Sequence, residues 1–328
     1  MVTLADIQRA QQRIRGIAVR TPLVAYYPPA TETDPPAGQL FFKPESLQPV
    51  GSFKLRGAYN KISSLTDDER RRGVISYSSG NHAQGVAYAA RALGVKAVIV
   101  MPRNAPRLKV DGTAALGAEI VTVGAGSNER MAKAEELSRQ HGYVVVPPFN
   151  DQQIIAGQGT IGLEILEDLP DVDLVLVPSG GGGLTSGVAS AIKLSGSHAK
   201  VVGVEPELAS DAQQSFRTGK IVELPAERVS STLADGLRTQ SIGPINFEHI
   251  RRFVDNIVTV TEDEIRTAMR RMATSVRLVA EPSGAVTFAA WLFHAKELPE
   301  AVKTVAIISG GNVDPQLLAQ VLTEQEGT

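Results

Sequence analysis

Short apolar runs alternate with longer helical stretches over most of this chain, from about residue 73 to residue 308. Strands are predicted at seven runs: residues 74–77, 97–101, 120–123, 144–146, 174–177, 201–204 and 305–308. Helical periodicity marks segments between them, such as residues 83–93, 127–140, 161–166, 185–194 and 262–275. Because parallel strand pairs need long crossovers, this alternation predicts an α/β fold with doubly wound parallel sheets.

The length of the chain, 328 residues, indicates two lobes or one large α/β unit. An ordinary domain has roughly 100–200 residues, and a chain of this size buries about three quarters of its unfolded surface without disulfides or a structural metal. No linker-like stretch separates two lobes cleanly, which is compatible with one domain being inserted into the other.

Composition excludes several kinds of chemistry and partner. The sequence has no cysteine, so a disulfide framework, a thiolate metal site and a cysteine nucleophile are all excluded. Lys and Arg total 33 against 35 Asp and Glu, which leaves no basic field for nucleic acid. Since no run of about 18 apolar residues occurs, we expect no membrane-spanning segment and a cytoplasmic protein.

Three polar, glycine-rich segments follow predicted strands, either directly or after one proline. They are Ser78-Ser79-Gly80-Asn81-His82, Ser179-Gly180-Gly181-Gly182-Gly183-Leu184, and Ser309-Gly310-Gly311-Asn312. Ligands of α/β sheets bind outside the carboxyl ends of strands, so these segments are candidates for a common site.

The four consecutive glycines leave backbone N–H groups uncovered where a helix should begin, which is the arrangement of an anion cradle. A phosphate there would receive directed hydrogen bonds and the positive end of the helix dipole. A tight strand-to-helix turn without a ligand is the other interpretation. No GxxxxGK[ST] motif occurs, so a nucleoside-triphosphate loop is not indicated.

Lys54 stands in an unusual setting, Ser52-Phe53-Lys54-Leu55-Arg56-Gly57-Ala58. A lysine considered alone is nearly always a solvated surface charge. The segment and others that occur in order after it nevertheless resemble the threonine/serine dehydratase and serine racemase family, which are fold-type II pyridoxal-phosphate enzymes. The other segments are residues 78–85, 156–161, 180–183, 205–206, 234–236, 281–284 and 309–312.

The resemblance implies a role for each cofactor-binding residue. Lys54 would hold pyridoxal 5'-phosphate as a Schiff base and act as the catalytic base, and Phe53 would stack on the ring. Asn81 would bond the ring hydroxyl and Ser309 would face the pyridine nitrogen. The phosphate would lie against Gly180, Gly181, Gly182, Gly183 and Leu184. A serine at the pyridine nitrogen makes the ring a poorer electron sink than a carboxylate would, which favours loss of a β-substituent.

The resemblance also implies a substrate site and a metal site. The substrate carboxylate would be received by Ser78, Ser79, Asn81 and His82. Ser79 would be catalytic if it delivers a proton to the opposite ring face, as in the racemases; the alternative is a loop serine that only donates to the carboxylate. Glu205, Asp211 and the carbonyl of Ala209 match a Mg²⁺ or Ca²⁺ site of some relatives, although two carboxylates at this spacing are more often simply solvated.

The function that follows is β-elimination of L-threonine or L-serine, with pyridoxal phosphate as cofactor, to 2-oxobutyrate or pyruvate and ammonia. A serine racemase, or a lyase of another β-hydroxy amino acid such as 3-hydroxyaspartate, is the alternative. A non-enzymatic phosphate-ligand binder is a third possibility. By resemblance we expect a small domain at residues 73–151, inserted in a large domain of residues 1–72 and 152–328, and a homodimer.

Overall fold

The computed structural model describes residues 1–29, 36–78, 80–103, 105, 107–124 and 127–324. Its strands, in chain order, are β1 Val24–Ala25, β2 Gln39–Pro44, β3 Val74–Ser76, β4 Ala97–Pro102, β5 Glu119–Val123, β6 Val144–Val145, β7 Leu174–Pro178, β8 Lys200–Pro206, β9 Asn256–Val260 and β10 Lys303–Ile308. All seven predicted strands are present. The patterns did not predict β1, β2 or β9.

The α-helices of the described residues alternate with these strands. They are α1 Leu4–Arg13, α2 Lys54–Ser63, α3 Asp67–Arg72, α4 Asn81–Ala92, α5 Arg107–Ala115, α6 Ser127–His141, α7 Gln152–Asp168, α8 Gly183–Leu194, α9 Asp211–Thr218, α10 Ala226–Ser230, α11 Pro244–Phe253, α12 Glu262–Arg271, α13 Pro282–Phe293 and α14 Pro315–Thr323. None of them is both long enough and apolar enough to span a bilayer.

The strands form two sheets, and the predicted α/β fold is confirmed. The larger sheet has the order β1-β2-β10-β7-β8-β9, and its neighbours pair in parallel except for the antiparallel edge pair β1-β2. The smaller sheet has the order β5-β4-β3-β6 and is wholly parallel. The carboxyl ends of the parallel strands in each sheet therefore meet at one edge.

Helices cover both faces of the larger sheet. Because successive side chains of a strand point to opposite faces, one strand contributes to the core on each side. Leu174 and Leu176 of β7 pack in the same core cluster as Phe288 of α13. Val175 of β7 instead packs in a second cluster with Val188 of α8. A strand buried on both faces is a continuous apolar run, which is why β7 was recognisable from the sequence.

The smaller sheet takes all its strands from residues 74–145, inside the segment predicted as an inserted domain. Its core also includes Leu55, Ala58 and Ile62 of α2, which precedes that segment in the chain. The boundaries at 72/73 and 151/152 therefore stay a prediction.

A buried cluster of four charges ties α2 to the larger sheet. The Arg56 guanidinium is fully buried and forms two hydrogen bonds with each of two carboxylates, Glu45 after β2 (2.7 and 2.8 Å) and Glu164 of α7 (2.6 and 2.9 Å). The Lys43 ammonium lies 2.7 Å from Glu164 Oε2. The cluster is neutral overall and joins β2, α2 and α7 near the beginning of α2.

Glycines allow α7 to lie unusually close to its neighbours. A Cβ on Gly157 would lie 2.6 Å from the Cα of Gly57 in α2, and one on Gly187 of α8 would lie 2.4 Å from the carbonyl oxygen of Ile155. Side chains at these positions would push the helices apart. The close packing brings α2 and α8, which begin at Lys54 and Gly183, against the same helix.

Candidate active site

A cavity of about 710 Å³ lies where the carboxyl ends of β3, β7 and β10 reach the start of α2. Every described residue predicted to hold the cofactor lines it: Phe53, Lys54, Asn81, Gly180, Gly181, Gly182, Gly183, Leu184 and Ser309. Ser78 and His82, predicted to bind substrate, line it as well. Ser79 lies outside the described residues. The tertiary structure thus brings together segments that are more than 250 residues apart in the chain.

Lys54, the first residue of α2, is half-buried in the cavity wall. Its Nζ donates a hydrogen bond to the carbonyl oxygen of Pro148 at 2.9 Å and lies 5.1 Å from the centre of the Phe53 ring. Burial lowers the pKa of Lys54 to about 8, although the nearby Glu281 carboxyl acts in the opposite direction. A larger fraction of neutral amine near pH 7 is what a nucleophile or base requires.

The tetraglycine turn begins α8, with Gly182 as its N-cap at φ +90°. A Cβ on Gly181 would lie 2.3 Å from the ring of Phe149, and one on Gly183 would lie 3.0 Å from the Phe149 Cβ. The left-handed backbone therefore requires glycine at position 182 and the aromatic ring requires it at position 181, while a side chain at position 183 would crowd Phe149. The first N–H groups of a helix have no carbonyl partner within it, so this turn offers donors to an anion.

Asn81, the first residue of α4, is held by two other side chains. Its Nδ2 donates to Glu281 Oε1 at 2.6 Å, and its Oδ1 accepts from Asn312 Nδ2 at 2.8 Å. Burial, and then the Asp235 charge, raise the pKa of Glu281 to about 8. The motifs containing Glu281 and Asn312 were noticed in the sequence, but no role followed from them there.

His82 is buried beside Asn81 and stays neutral. Burial, and then the Lys54 charge, lower the pKa of His82 to about 3. Its Nε2 lies 3.0 Å from the carbonyl oxygen of Val146, which assigns the proton to Nε2. Nδ1 is buried with no hydrogen-bond partner among the described residues.

Two serines complete the wall. The Ser309 hydroxyl is buried and donates to the carbonyl oxygen of Ser283 at 3.3 Å. The Ser78 hydroxyl accepts from the backbone N–H of Gly80 at 3.3 Å. Both hydroxyls are therefore oriented by the backbone at the cavity wall.

The carboxylates predicted to bind a metal lie next to this cavity. Glu205 accepts backbone hydrogen bonds from Ala212 (3.2 Å) and Gln213 (2.8 Å), while Asp211 accepts one from the hydroxyl of Thr239 (3.4 Å), which lines the cavity. Asp211 Oδ2 is buried with no hydrogen-bond partner in the described part of the chain.

Burial raises the pKa of Asp211 to about 7, and burial together with Asp211 raises the pKa of Glu205 well above its usual range. A cation would relieve this repulsion, so the pair fits a divalent ion with oxygen ligands. Among the described residues, no three acidic or histidine side chains converge on one point. Backbone carbonyls such as that of the buried Ala209, and water, would have to complete the coordination.

Two further lining residues, Lys109 and Asp235, had no role predicted from the sequence. Lys109 of α5 forms an ion pair with Asp235, so the pair spans the cavity between the smaller and the larger sheet. Asp235 belongs to a segment quoted for the resemblance. Its partner is 126 residues away, so no local pattern could have identified the contact.

The site combines a helix start that can bind a phosphate with the Lys54 amine. Comparison of the chain with known protein families gives the class of protein. The family model described as pyridoxal-phosphate dependent enzyme matches residues 14–310. The chain belongs to this family.

Individual relatives are similar over nearly the whole chain. The L-threonine ammonia-lyase of Thermotoga maritima is 46% identical over 327 residues, covering 99% of this chain and 79% of the relative. The L-threo-3-hydroxyaspartate ammonia-lyase of Saccharomyces cerevisiae is 41% identical over 324 residues, covering 99% and 97%. The structure of maize serine racemase superposes with a TM-score of 0.90 at 38% identity, covering 97% of this chain and 96% of that one.

Proposed function

We propose that this protein is an L-threonine ammonia-lyase that also accepts L-serine, producing 2-oxobutyrate or pyruvate and ammonia. The observation that carries the proposal is Lys54, a desolvated amine with a pKa near 8 in the same cavity as a tetraglycine helix start. The 46% identity to a threonine ammonia-lyase over almost the whole chain supports the choice of substrate.

The residues of the cavity fit pyridoxal phosphate. The Lys54 amine would bind its aldehyde, Phe53 would lie against its ring, and Asn81 and Ser309 would meet the ring hydroxyl and the ring nitrogen. The tetraglycine turn and Leu184 would hold the phosphate, because the first backbone N–H groups of α8 have no carbonyl partner within the helix and can donate to an anion. When bound, this cofactor withdraws electrons from the substrate Cα and so acidifies its proton.

Lys54 would move the protons of the reaction. Once the substrate amine has displaced it from the cofactor aldehyde, the neutral Nζ would take the proton from the substrate Cα, and the resulting ammonium would give a proton to the departing β-hydroxyl, so that water leaves. The enamine released afterwards takes up water to give the 2-oxo acid and ammonia.

The loop at the start of α4 would hold the substrate. Ser78 would supply a donor for the α-carboxylate, next to Asn81. His82 stays neutral in this role and presents Nδ1 as an acceptor, so it orients groups rather than donating a proton. Ser79 is proposed as a donor to the same carboxylate, or as a proton carrier on the opposite ring face.

Exchange of Lys54 for alanine tests the assignment. We expect Lys54→Ala to lose ammonia release from threonine and to lose the cofactor mass that borohydride reduction fixes to the wild-type chain. Lys61→Ala is the matched control, because Lys61 lies on the same helix but pairs with Asp151 outside the cavity lining. Wild-type-like ammonia release by Lys54→Ala would overturn the proposal.

A hydroxyaspartate lyase and a serine racemase are the second candidates, favoured by 41% identity to the yeast enzyme and 38% to the maize enzyme. Product analysis separates them. 2-Oxobutyrate formed from threonine supports the proposal, oxaloacetate formed faster from 3-hydroxyaspartate supports the first alternative, and D-serine formed faster than pyruvate supports the second.

Further proposals concern the metal, the domains, the assembly and the location. A Mg²⁺ or Ca²⁺ ion at Glu205, Asp211 and the Ala209 carbonyl is supported by the buried carboxylate pair. Residues 73–151 are proposed as the small domain, supported by the four strands within it. We also propose a cytoplasmic homodimer, and sedimentation analysis of the purified chain tests the oligomeric state.

A further inference from the structure

Glu281 is a buried acid in the cavity wall for which the proposed mechanism has no use. Only 3% of it is exposed, and it stands immediately before α13. Its backbone N–H donates to the carbonyl oxygen of Gly310 at 3.1 Å, and its own carbonyl accepts from Gly284 (2.8 Å) and Ala285 (3.1 Å). The backbone of Glu281 is therefore held between α13 and the segment after β10.

The Glu281 carboxyl is one end of a hydrogen-bonded chain that fixes the Asn81 amide. Glu281 Oε1 accepts from Asn81 Nδ2 at 2.6 Å, and Asn81 Oδ1 accepts from Asn312 Nδ2 at 2.8 Å. Asn312 Nδ2 also donates to the carbonyl oxygen of Val50 at 2.8 Å, so its donor direction is set. A flipped Asn81 would place NH₂ against NH₂ at Asn312, so the Asn312 end sets the orientation of the Asn81 amide.

The approach of Glu281 to Asn81 also depends on a missing side chain. A Cβ on Gly310 would lie 2.4 Å from Glu281 Oε1 and 3.2 Å from Asn81 Nδ2. Only glycine at this position leaves the two side chains in hydrogen-bond contact. The bonded amide keeps its second N–H for the cavity, since an amide nitrogen has two donors.

The charges that face Glu281 are Asp235, Lys109 and Lys54. Burial is the largest cause that raises the pKa of Glu281, and Asp235 is the next; Lys109 and Lys54 act in the opposite direction. Protonated or ionised, the carboxyl keeps an acceptor oxygen for Asn81, so its hold on the amide does not require a negative charge.

We propose that Glu281 is a positioning residue that holds the Asn81 amide with one N–H aimed at the ring hydroxyl of the cofactor. This inference rests on the proposed function. It assigns to Glu281 an effect on cofactor binding that operates through Asn81 and not through contact of its own with the reacting atoms.

Cofactor titration of the apoprotein tests this, read by absorbance of the bound chromophore, with thermal unfolding of the apoprotein measured beside it. We expect Glu281→Ala to weaken cofactor binding about tenfold, the upper end of the range for the net loss of one neutral hydrogen bond. Glu281→Gln keeps an acceptor oxygen and should restore binding to within about threefold of wild type. Asn312→Ala, which frees the other end of the same amide, should weaken binding in the same direction.

A double-mutant cycle distinguishes positioning from a general structural effect. If Glu281 acts through Asn81, adding Glu281→Ala to Asn81→Ala changes the cofactor affinity by less than about threefold. A further tenfold loss in that background would overturn the inference, as would wild-type affinity in both Glu281→Ala and Asn312→Ala. If Glu281→Ala does not fold, the Asn312→Ala result decides. Failure of the wild-type chain to bind the cofactor would refute the proposed function itself.

Discussion

Glu164→Gln is expected to be among the most destabilising conservative substitutions in this protein. Glu164 Oε1 accepts from Arg56 at 2.6 Å, and its Oε2 accepts from Arg56 at 2.9 Å and contacts Lys43 at 2.7 Å. Arg56 and Lys43 are fully buried. Neutralising Glu164 leaves two buried cations facing one remaining carboxylate, Glu45.

Breaking a buried pair on one side costs about 3–5 kcal/mol, because the remaining charge has lost both water and partner. We therefore expect Glu164→Gln to reduce the free energy of unfolding by about that amount, a change of more than a hundredfold in the folding equilibrium. Urea unfolding followed by circular dichroism measures it, provided that the m-value is unchanged. The penalty arises mainly from the uncompensated charge rather than from the lost hydrogen bonds.

Two control variants make the reasoning refutable. Glu167→Gln is the same substitution on the same helix, but Glu167 and its partner Arg20 both have 48% of the side chain exposed, so we expect a loss of at most about 1 kcal/mol. The double variant Lys43→Met with Glu164→Gln restores charge balance and should be more stable than Glu164→Gln alone. Equal losses from Glu164→Gln and Glu167→Gln would refute the role assigned to burial.

Three other outcomes can be checked. Gly181→Ala should weaken cofactor binding at least about tenfold, since its Cβ would overlap Phe149; Gly112→Ala, with no neighbour of the Cβ closer than 3.8 Å, is the control in the same titration. The native pKa of His82 lies near 3, below its usual 6.5, so the unfolded chain binds the extra proton and stability is lost as the pH falls from 6.5 towards 3. Between pH 7 and pH 5, the wild-type chain should therefore lose about 2 kcal/mol more free energy of unfolding than His82→Asn does, as measured by urea unfolding. An equal loss in the two proteins would contradict this. Asp211→Asn should raise the melting temperature of the metal-free chain, because it removes one of two buried like charges. It should also abolish any increase in melting temperature that Mg²⁺ or Ca²⁺ causes in the wild-type chain. If the ion still raised the melting temperature of Asp211→Asn, Asp211 would not be a metal ligand.

Five of the seven predicted strands, β3, β4, β7, β8 and β10, are buried along most of their length, and β7 is apolar without interruption. β2 was missed because it contains Lys43, which reads as a surface residue although it is fully buried against Glu164. The sequence around Lys43 gives no sign of that partner. Polar residues also hid β9 from the apolar pattern, because Asn256 and Thr259 interrupt its apolar run.

The site divides in the same way. The tetraglycine turn and the segment containing Ser309 were predicted to bind a ligand from local signatures, a bare helix start and a strand end, whereas the roles predicted for Lys54 and Ser309 rested on the family resemblance. The orientation of the Asn81 amide, with its NH₂ and its oxygen on opposite sides, depends on Glu281 and Asn312. Each of these residues is at least 200 positions away in the chain.

The sequence by itself determined the type of fold, the order of its main strands and the residue types available for chemistry, since these follow from local periodicity and backbone freedom. Only the tertiary structure decided which charges are buried together, that the Lys54 amine is desolvated, and which carboxyls face each other. Burial and pairing are properties of contacts between distant segments, and the free energies that shift a pKa arise only once those contacts have closed.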